Sequence, residues 1–261
     1  MTFWAHIKEL RGRLIKIMAT LGILIVFLFA VGIRHTTING ITVYYVWPDV
    51  YHNVPAQLLV RAQRELVPSY VELIVTAPGE ALFAEIAISI FLALLLGMPM
   101  ILYHILAFVS PGLYPREKKL IRKIIVPATL LFVAGAAFSY FLILPFTFTF
   151  LYQYAVALGA TTFITIDDFV TFTVMFLIAL GASFQLPLIM IGLTYLGVIE
   201  PKFWKDNVRI IFVVITVFAA IITPDGSGVT MWFIVLPMMA LYFVGYALSK
   251  RRYVKGPGLL G

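Results

Sequence analysis

The stretch IAISIFLALLLGMPMILYHILAFV, from Ile86 to Val109, decides the fold, because it runs for 24 residues without an acidic side chain, a lysine or an arginine. A bilayer core about 30 Å thick is crossed by roughly 20 apolar residues of α-helix. This stretch is therefore long enough to span a membrane. The rest of the 261-residue chain is similar, with 62% hydrophobic and 12% charged residues and a mean hydropathy of +1.02. These values predict a membrane protein.

Five other apolar runs accompany this stretch, so we predict an all-α polytopic fold with six transmembrane helices in a single domain, residues 1–261. The fifth run has only 13 residues, which cover roughly 20 Å as a helix. Either its helix extends into the flanking residues, or the bilayer thins around it. A third possibility is that the fifth and sixth runs form a buried hairpin that does not span the membrane. The first run is long for a signal-peptide core, so we expect it to be retained. The predicted spans are Ile17–Ile33, Ile86–Val109, Ile124–Phe146, Phe169–Val198, Ile210–Ile222 and Val229–Leu248.

Prolines inside these runs predict the shape of the helices. Each proline removes a backbone donor and bends its helix unless neighbouring groups compensate. We therefore expect kinked helices that form a curved, concave wall rather than a straight bundle. The prolines in question are Pro99, Pro127, Pro145, Pro187 and Pro237.

The segments between the spans are predicted to be structured on one side of the membrane. The loop Arg34–Phe83 is too long for a simple connector, and we expect residues 34–83 to form an extracytoplasmic cap. Within it, Ile38–Ile41 carries an Asn-Gly hairpin signal, and Ala56–Leu66 has the pattern of a short amphipathic helix at the outer interface. The second outer loop, Leu151–Asp168, contains a segment at residues 161–166 that favours a β-strand.

The distribution of basic residues predicts the orientation. Sixteen of the nineteen lysines and arginines fall in the two termini and in the second-to-third and fourth-to-fifth connections, which leaves Arg34, Arg61 and Arg64 on the other side. The positive-inside rule then places both termini in the cytoplasm of a multi-pass protein of the cell membrane. A basic inner face is expected for any protein that faces anionic lipid. It therefore identifies no ligand, and we expect no nucleic-acid partner.

The composition also argues against several kinds of chemistry. The chain has no cysteine, and its four histidines show no metal-ligand spacing. We find no Gly-rich phosphate loop and no Ser/His/Asp arrangement, so we expect neither an enzyme nor a cofactor. A small-solute secondary transporter or an intramembrane enzyme is the alternative function for a membrane protein of this composition. A transporter would be expected to show charges at the membrane midplane or broken helices around a central cavity.

Polar side chains near or inside the spans each allow a structural and a functional interpretation. Gln185 lies deep in the fourth run, where it is either hydrogen-bonding glue between helices or a functional polar site. Glu80 and Glu85 flank the second run and are typical of solvated anchors. His104 favours a neutral, hydrogen-bonded histidine at the interface, and Asp225 is typical of a turn or a cap.

Two carboxylates among excess cations are the most informative polar residues. Glu9 lies on an amphipathic approach to the first span, and Glu117 lies in the basic connection between the second and third runs. Each could simply pair with a neighbouring lysine or arginine, which contributes little when exposed. Alternatively, each could accept the guanidinium of an incoming ligand, because carboxylates bind arginine in a bidentate geometry.

The motifs around these two carboxylates resemble those of a known family. The N-terminal residues are similar to an H-(x)2-E-L-R-x-R-L signature, the stretch Ala107–Tyr114 followed by Glu117 is similar to a first cytoplasmic loop, and Thr223–Asp225 matches a last outer turn. Phe184, Gln185 and Pro187 resemble a fourth-span F-E-x-P. The family is TatC, the receptor subunit of the twin-arginine protein translocase. The signature residues are His6, Glu9, Leu10, Arg11, Arg13 and Leu14.

The resemblance implies a function and the residues that carry it. Members of the family recognise folded cargo through an N-terminal signal with two adjacent arginines. They assemble with TatA- or TatB-type single-span partners and with further copies in a larger complex, and transport is driven by the proton-motive force. Glu9 and Glu117 match positions implicated in binding the arginine pair, while Arg11, Arg13 and Phe108 match neighbouring motif positions.

Three further positions are implied to contact partners or to serve as intramembrane polar residues, namely Gln185, Asp225 and Pro48. Pro48 resembles a proline of the family's first outer loop. The family often has Glu where this chain has Gln185, so we expect hydrogen bonding rather than ionisation there. The last outer turn has one proline where many members have two, and Gly226–Gly228 indicates an altered loop around Asp225.

Overall fold

A computed structural model describes residues 3–38, 41–109, 115–223 and 228–252, and it is mostly helical, as predicted. Within these ranges, four short strands form two small sheets: β1 (Val31–Ile38) with β2 (Ile41–Pro48), and β3 (Glu72–Ile74) with β4 (Phe163–Thr165). The helices are α1 (Phe3–Ala30), α2 (Val54–Leu66), α3 (Glu80–Val109), α4 (Pro115–Phe138), α5 (Leu144–Ala157), α6 (Ile166–Ser183), α7 (Leu186–Tyr195), α8 (Pro201–Asp206), α9 (Val208–Ile222) and α10 (Val229–Arg252).

Five helical segments within the described residues are long and apolar enough to cross a membrane. The sixth candidate, α9, has 15 residues, or roughly 22 Å of helix, which is shorter than a typical hydrocarbon core. The count of six spans therefore stays a prediction. The five long segments are Trp4–Ala30, Glu80–Phe108, Ile124–Ala157, Ile166–Tyr195 and Val229–Arg251.

Several helix ends differ from the predicted spans. Helix α1 ends at Ala30, and the apolar residues that follow belong to β1 instead, because a short apolar run fits a strand as well as a helix. The third run continues past Phe146 to Ala157, through a π-helical turn at Ser139–Ile143. Pro145 lies in the first turn of the helix after this π turn, where a missing N–H is tolerated. The connection predicted at Leu151–Asp168 is therefore shorter than expected.

The fourth run is interrupted rather than continuous. Helix α6 ends at Ser183 and α7 begins at Leu186, so that Pro187 lies in the first turn of α7. The backbone N–H of Gln185 donates to Ala182 O, three residues earlier, instead of to the carbonyl four residues earlier. This interruption fits the expectation that Pro187 perturbs its helix, because a proline fits the first turn of a helix better than its interior.

The chain divides into two compact units. The first comprises Met1–Ile125 and Leu144–Val174, and the second comprises Val126–Ile143 and Met175–Gly261. In the first unit, α1 packs along α3, and α2 packs against α3 and α5. In the second unit, α10 packs against α7, α8 and α9, and its core includes Met190, Trp204 and Tyr242.

The predicted cap elements are present in the first unit. β1 and β2 pair antiparallel from Val31↔Pro48 to Ile38↔Ile41, which confirms the hairpin predicted from Asn39-Gly40, although these two residues lie outside the described ranges. Helix α2 follows its N-cap Asn53, whose Oδ1 accepts the Ala56 backbone N–H at 2.8 Å. The predicted amphipathic helix therefore exists, and its apolar face packs against other helices of the unit.

Glu80 is a buried structural carboxylate at the start of α3. It accepts the backbone N–H groups of Thr76 at 2.7 Å, Ala77 at 3.1 Å and Asp167 at 3.2 Å, and it is 8% exposed. The interpretation of Glu80 as a solvated anchor is therefore wrong. Its carboxylate joins the first turn of α3 to the first turn of α6, because Asp167 lies in that turn. Glu85 also has a structural partner, since its Oε2 accepts Asn53 Nδ2 at 2.9 Å.

Candidate functional site

Glu9 and Arg13 lie one turn apart on α1 and form an ion pair. Arg13 donates from Nε at 2.9 Å and from Nη2 at 2.6 Å, and both bonds reach the same oxygen, Glu9 Oε1. The second oxygen, Oε2, is buried and has no hydrogen-bond donor among the described residues. The carboxylate therefore retains an unused acceptor, which is costly to bury unless a partner satisfies it.

Two aromatic rings stack where the N-terminal part of α1 meets the C-terminal end of α3. His6 stacks on Phe108 with ring centroids 4.3 Å apart and an interplanar angle of 17°, and both side chains are half-buried. Deeper in the same pair of helices, a Cβ at Gly97 would lie 3.1 Å from Leu21 Cδ2. The absence of a side chain at Gly97 therefore lets α1 approach α3 closely, which positions Glu9 and Phe108 in one local structure.

The structure gives fewer contacts for the other two predicted signal-binding residues, Arg11 and Glu117. Arg11 lies on α1 with an exposed side chain, and no carboxylate in the described part of the chain forms an ion pair with it. Glu117 lies within α4, but its side chain lies outside the described part of the structure. The pairing of Glu9 and Glu117 around one ligand therefore stays a prediction.

His104 is a residue of this region whose surroundings the sequence did not reveal. It lies one turn before Phe108 on α3 and is 4% exposed, and neither ring nitrogen has a partner among the described residues. The charges of Lys16 and Arg13 on α1 act on the ring. The expected hydrogen bond is not found within the described residues. The i, i+4 spacing of His104 and Phe108 places both side chains on one face of α3. This spacing is the feature of the sequence that could have indicated that both face α1.

Gln185 forms a hydrogen bond between two helical segments of the second unit. Gln185 lies in the interruption between α6 and α7, and its Nε2 donates to the backbone carbonyl of Ala128 on α4 at 3.0 Å. A Cβ at Gly135 would lie only 2.6 Å from Leu180 O, so the backbones of α4 and α6 approach closely here. The polar side chain at the interruption is thus used to bind a neighbouring helix.

The resemblance also implies roles for Pro48 and Asp225, and the structure describes only the first of these two residues. Pro48 ends β2 and is exposed, with Val31 as its cross-strand partner. The next residue, Asp49, accepts Arg34 Nη2 at 2.5 Å, and this bond is the main reason that the pKa of Asp49 falls to about 2. Asp225 lies outside the described residues.

Comparisons with known proteins agree with the motifs. A family model for the Sec-independent protein translocase protein (TatC) matches residues 5–237. The chain is 42% identical over 252 residues to a Sec-independent protein translocase protein TatC of Cenarchaeum symbiosum (strain A), covering 97% of this chain and 96% of the relative. It is 29% identical over 252 residues to the protein of the same name from Escherichia coli (strain K12), covering 96% and 89%.

A solved structure is also similar over nearly the whole chain. The crystal structure of a twin arginine translocase receptor, TatC, superposes with a TM-score of 0.74 at 30% identity, covering 95% of this chain and 99% of that one. These findings confirm the family read from the motifs, and the family is one of protein translocases rather than enzymes. With its long apolar helices, the protein is a multi-pass membrane protein. The chain belongs to the TatC family of Sec-independent protein translocase components.

Proposed function

We propose that this chain is the receptor of a twin-arginine translocase and that it binds the twin-arginine signal of folded cargo proteins. It lies in the cytoplasmic membrane with six spans, arranged as a curved wall, and with both termini in the cytoplasm. The similarity to a solved twin arginine translocase receptor supports this assignment. The signal binds where α1 and α3 meet, at the end of the helices that carries Glu9 and Phe108.

The observation that carries the proposal is the buried Oε2 of Glu9, for which the described residues supply no hydrogen-bond donor. A carboxylate oxygen that is buried without a donor is an unfavourable arrangement, and a guanidinium N–H satisfies it with a charge-assisted hydrogen bond. Arg13 already occupies Oε1, so Glu9 offers the ligand one oxygen rather than two. A second acceptor is then needed for a second arginine, and we assign that role to Glu117.

The neighbouring residues complete the recognition of the signal. The stacked rings of His6 and Phe108 form an apolar surface beside Glu9, against which the hydrophobic part of the signal packs. A lysine in the signal keeps the positive charge but loses the planar fork of the guanidinium. We therefore expect a twin-lysine peptide to bind more weakly than a twin-arginine peptide.

Partner binding is assigned to other parts of the chain. TatA- or TatB-type single-span proteins and further copies of this chain contact the positions represented by Gln185, Asp225 and Pro48, and transport uses the proton-motive force. Gln185 uses its amide nitrogen for Ala128 O, which leaves its carbonyl oxygen to accept a hydrogen bond from a partner helix. This role requires no ionisable group at position 185.

The alternative, a small-solute transporter, finds less support. An interrupted helix is a feature of many transporter sites, and the chain has one between α6 and α7. Its polar side chain, however, is neutral and bonds to a helix carbonyl. Solute flux in liposomes that contain this protein alone would favour the alternative.

The test measures binding of a fluorescent twin-arginine peptide to the full chain in lipid nanodiscs. Loss of a hydrogen bond to a charged group costs about 1.5–3 kcal/mol, so we expect Glu9→Gln and Glu117→Gln each to weaken binding about tenfold or more. Glu200→Gln is the matched control, because Glu200 is an exposed carboxylate at the start of α8. Unchanged binding in both test variants, or equal binding of the twin-lysine peptide, would contradict the assignment.

A further inference from the structure

The hairpin of β1 and β2, residues 31–48, is exposed on both faces. From Ile33 to Thr37 and from Thr42 to Pro48, every side chain is exposed. The largest exposed groups are aromatic or branched, with Tyr44 at 71%, Val46 at 59% and Trp47 at 53%. We call this segment the ribbon, because it has two strands and no further strand pairs with either edge within the described residues.

The ribbon carries almost no free charge. Arg34 is its one charged residue, and it donates to Asp49 at 2.5 Å. Soluble proteins protect exposed strand edges with charges, since an uncharged apolar edge is an aggregation hazard. A surface of this composition is therefore expected to be covered by something other than water.

The base of the ribbon is held to His52, in the loop before α2, and to Gln57 on α2. A Cβ at Gly32 would lie 2.2 Å from the carbonyl oxygen of His52, so only glycine permits this approach. Gln57 Nε2 donates to Ile33 O at 3.0 Å and to His52 O at 2.8 Å. The ribbon is thus a fixed projection, although two strands without further packing are marginally stable in water.

The position of the ribbon in the chain identifies what covers it. β1 begins at Val31, directly after α1 ends at Ala30, so the ribbon starts where a candidate membrane span stops. The last turns of α1 expose Ile23 at 70%, Val26 at 69% and Phe27 at 55%, and in a spanning helix such residues face lipid. Ile33, the third residue of the ribbon, is also 47% exposed.

We propose that the ribbon lies in the membrane–water interface at the C-terminal end of α1, with lipid as the occupant of its exposed surface from Ile33 to Trp47. Pro48, at the end of β2, stays assigned to the partner contact of the proposed function. Tyrosine and tryptophan are enriched at this depth because their rings combine an apolar body with a polar edge. The unpaired backbone groups of the two edges are hydrated among the headgroups, whereas open edges are not found in the hydrocarbon core. The ribbon is therefore an interfacial anchor, and this role is independent of signal binding.

The absence of cysteine from the chain permits a direct test with single spin labels in liposomes. Labels replace Thr36 or Val46 on the ribbon, Val26 on α1 as a lipid reference, and Lys205 on α8 as a water reference. Collisions of each label with oxygen and with a water-soluble nickel chelate report its depth. We expect both ribbon labels to fall between the two references, with oxygen collisions above those at Lys205 and nickel collisions below them.

Two results would overturn the proposal. Ribbon labels with the same collision rates as Lys205 would place the ribbon in water. Spin–spin broadening at Val46 that disappears on dilution with unlabelled protein would show that a second copy covers the ribbon instead of lipid. Thermal unfolding of each labelled protein checks that the label has not disturbed the fold, and these sites are suited to labelling because their side chains are exposed.

Discussion

Arg13 donates two hydrogen bonds to a single oxygen of Glu9, at 2.9 Å and 2.6 Å, while the other oxygen of Glu9 is buried and has no donor within the described part of the chain. The two side chains are only 24% and 23% exposed, so solvent screens this pair less than it screens a surface ion pair. Its effect is geometric, because it fixes the rotamer of Glu9 and so determines where the free oxygen points. Under the proposed function, Arg13 therefore positions Glu9 for the signal rather than only neutralising its charge.

The first prediction separates this positioning role from charge. Arg13→Gln and Lys8→Gln each remove one positive charge near the site, so charge alone predicts slightly tighter binding of a cationic twin-arginine peptide in both variants. Lys8 is an exposed residue of α1 that lies next to Glu9 in the sequence. Because Arg13 is the residue that hydrogen-bonds to Glu9, we expect Arg13→Gln to weaken binding several-fold while Lys8→Gln does not. Peptide titration in nanodiscs measures both. Equal effects of the two variants would show that Arg13 acts through its charge alone.

The second prediction concerns the ring of His104, which has no hydrogen-bond partner in the part of the chain that the structure describes. A buried polar group without a partner costs about 1–3 kcal/mol, and leucine is an apolar side chain of similar size. We therefore expect His104→Leu to leave the stability unchanged or to raise it, as measured by thermal unfolding in detergent. A clear loss of stability would show that the ring has a partner, such as a water molecule. A loss of peptide binding without a loss of stability would instead make His104 part of the recognition surface.

The long helices and the hairpin were predictable because both depend on local sequence patterns. Apolar run length identifies α3, and Asn39-Gly40 between β-branched residues identifies the hairpin of β1 and β2. The boundary at Ala30 was not predictable from hydrophobicity, because the three residues after it, Val31–Ile33, carry no polar side chain. The chain leaves the helix there because Val31 pairs with Pro48 across the hairpin.

The site was predictable in its residues but not in its contacts. The spacing of Glu9 and Arg13 indicates an ion pair on one helix face, and the structure contains it. Nothing in the local sequence shows that Glu80 binds the backbone of Asp167, 87 residues away. Such contacts depend on tertiary packing, which a periodic pattern along one helix does not encode. The same holds for the bond from Gln185 to Ala128.

The third prediction uses this bond. Gln185→Leu removes the donor to Ala128 O, and polar contacts between membrane helices contribute about 0.6–2 kcal/mol. Gln185→Glu places a carboxylate next to the same carbonyl, and an ionised carboxylate has no N–H or O–H to donate. We expect both variants to unfold at lower temperature than the parent, with Gln185→Glu the less stable of the two at neutral pH. A Glu variant as stable as the parent would show that position 185 tolerates the residue common in the family without this bond.

The last prediction is a pH dependence at the base of the ribbon. Asp49 accepts Arg34 Nη2 at 2.5 Å and the backbone N–H groups of Tyr51 at 3.1 Å and His52 at 3.0 Å. These bonds, with that from Arg34 first, lower the pKa of Asp49 from 3.8 to about 2. Because the folded pKa is depressed, the contribution of Asp49 to stability is complete above about pH 4 and is lost as the pH falls through about 2.

Removing Arg34 tests which bond holds this carboxylate. In Arg34→Gln the largest cause of the shift disappears, so we expect the pKa of Asp49 to rise toward 3.8 but to stay below it, because the two backbone bonds remain. The carboxyl carbon signal of Asp49, followed by NMR as the pH is lowered, reports the pKa in the parent and in the variant. Arg61→Gln is the matched control, since Arg61 bonds to Glu65 on α2 instead. If the two variants and the parent titrate together, the backbone of Tyr51 and His52, rather than Arg34, determines the charge of Asp49.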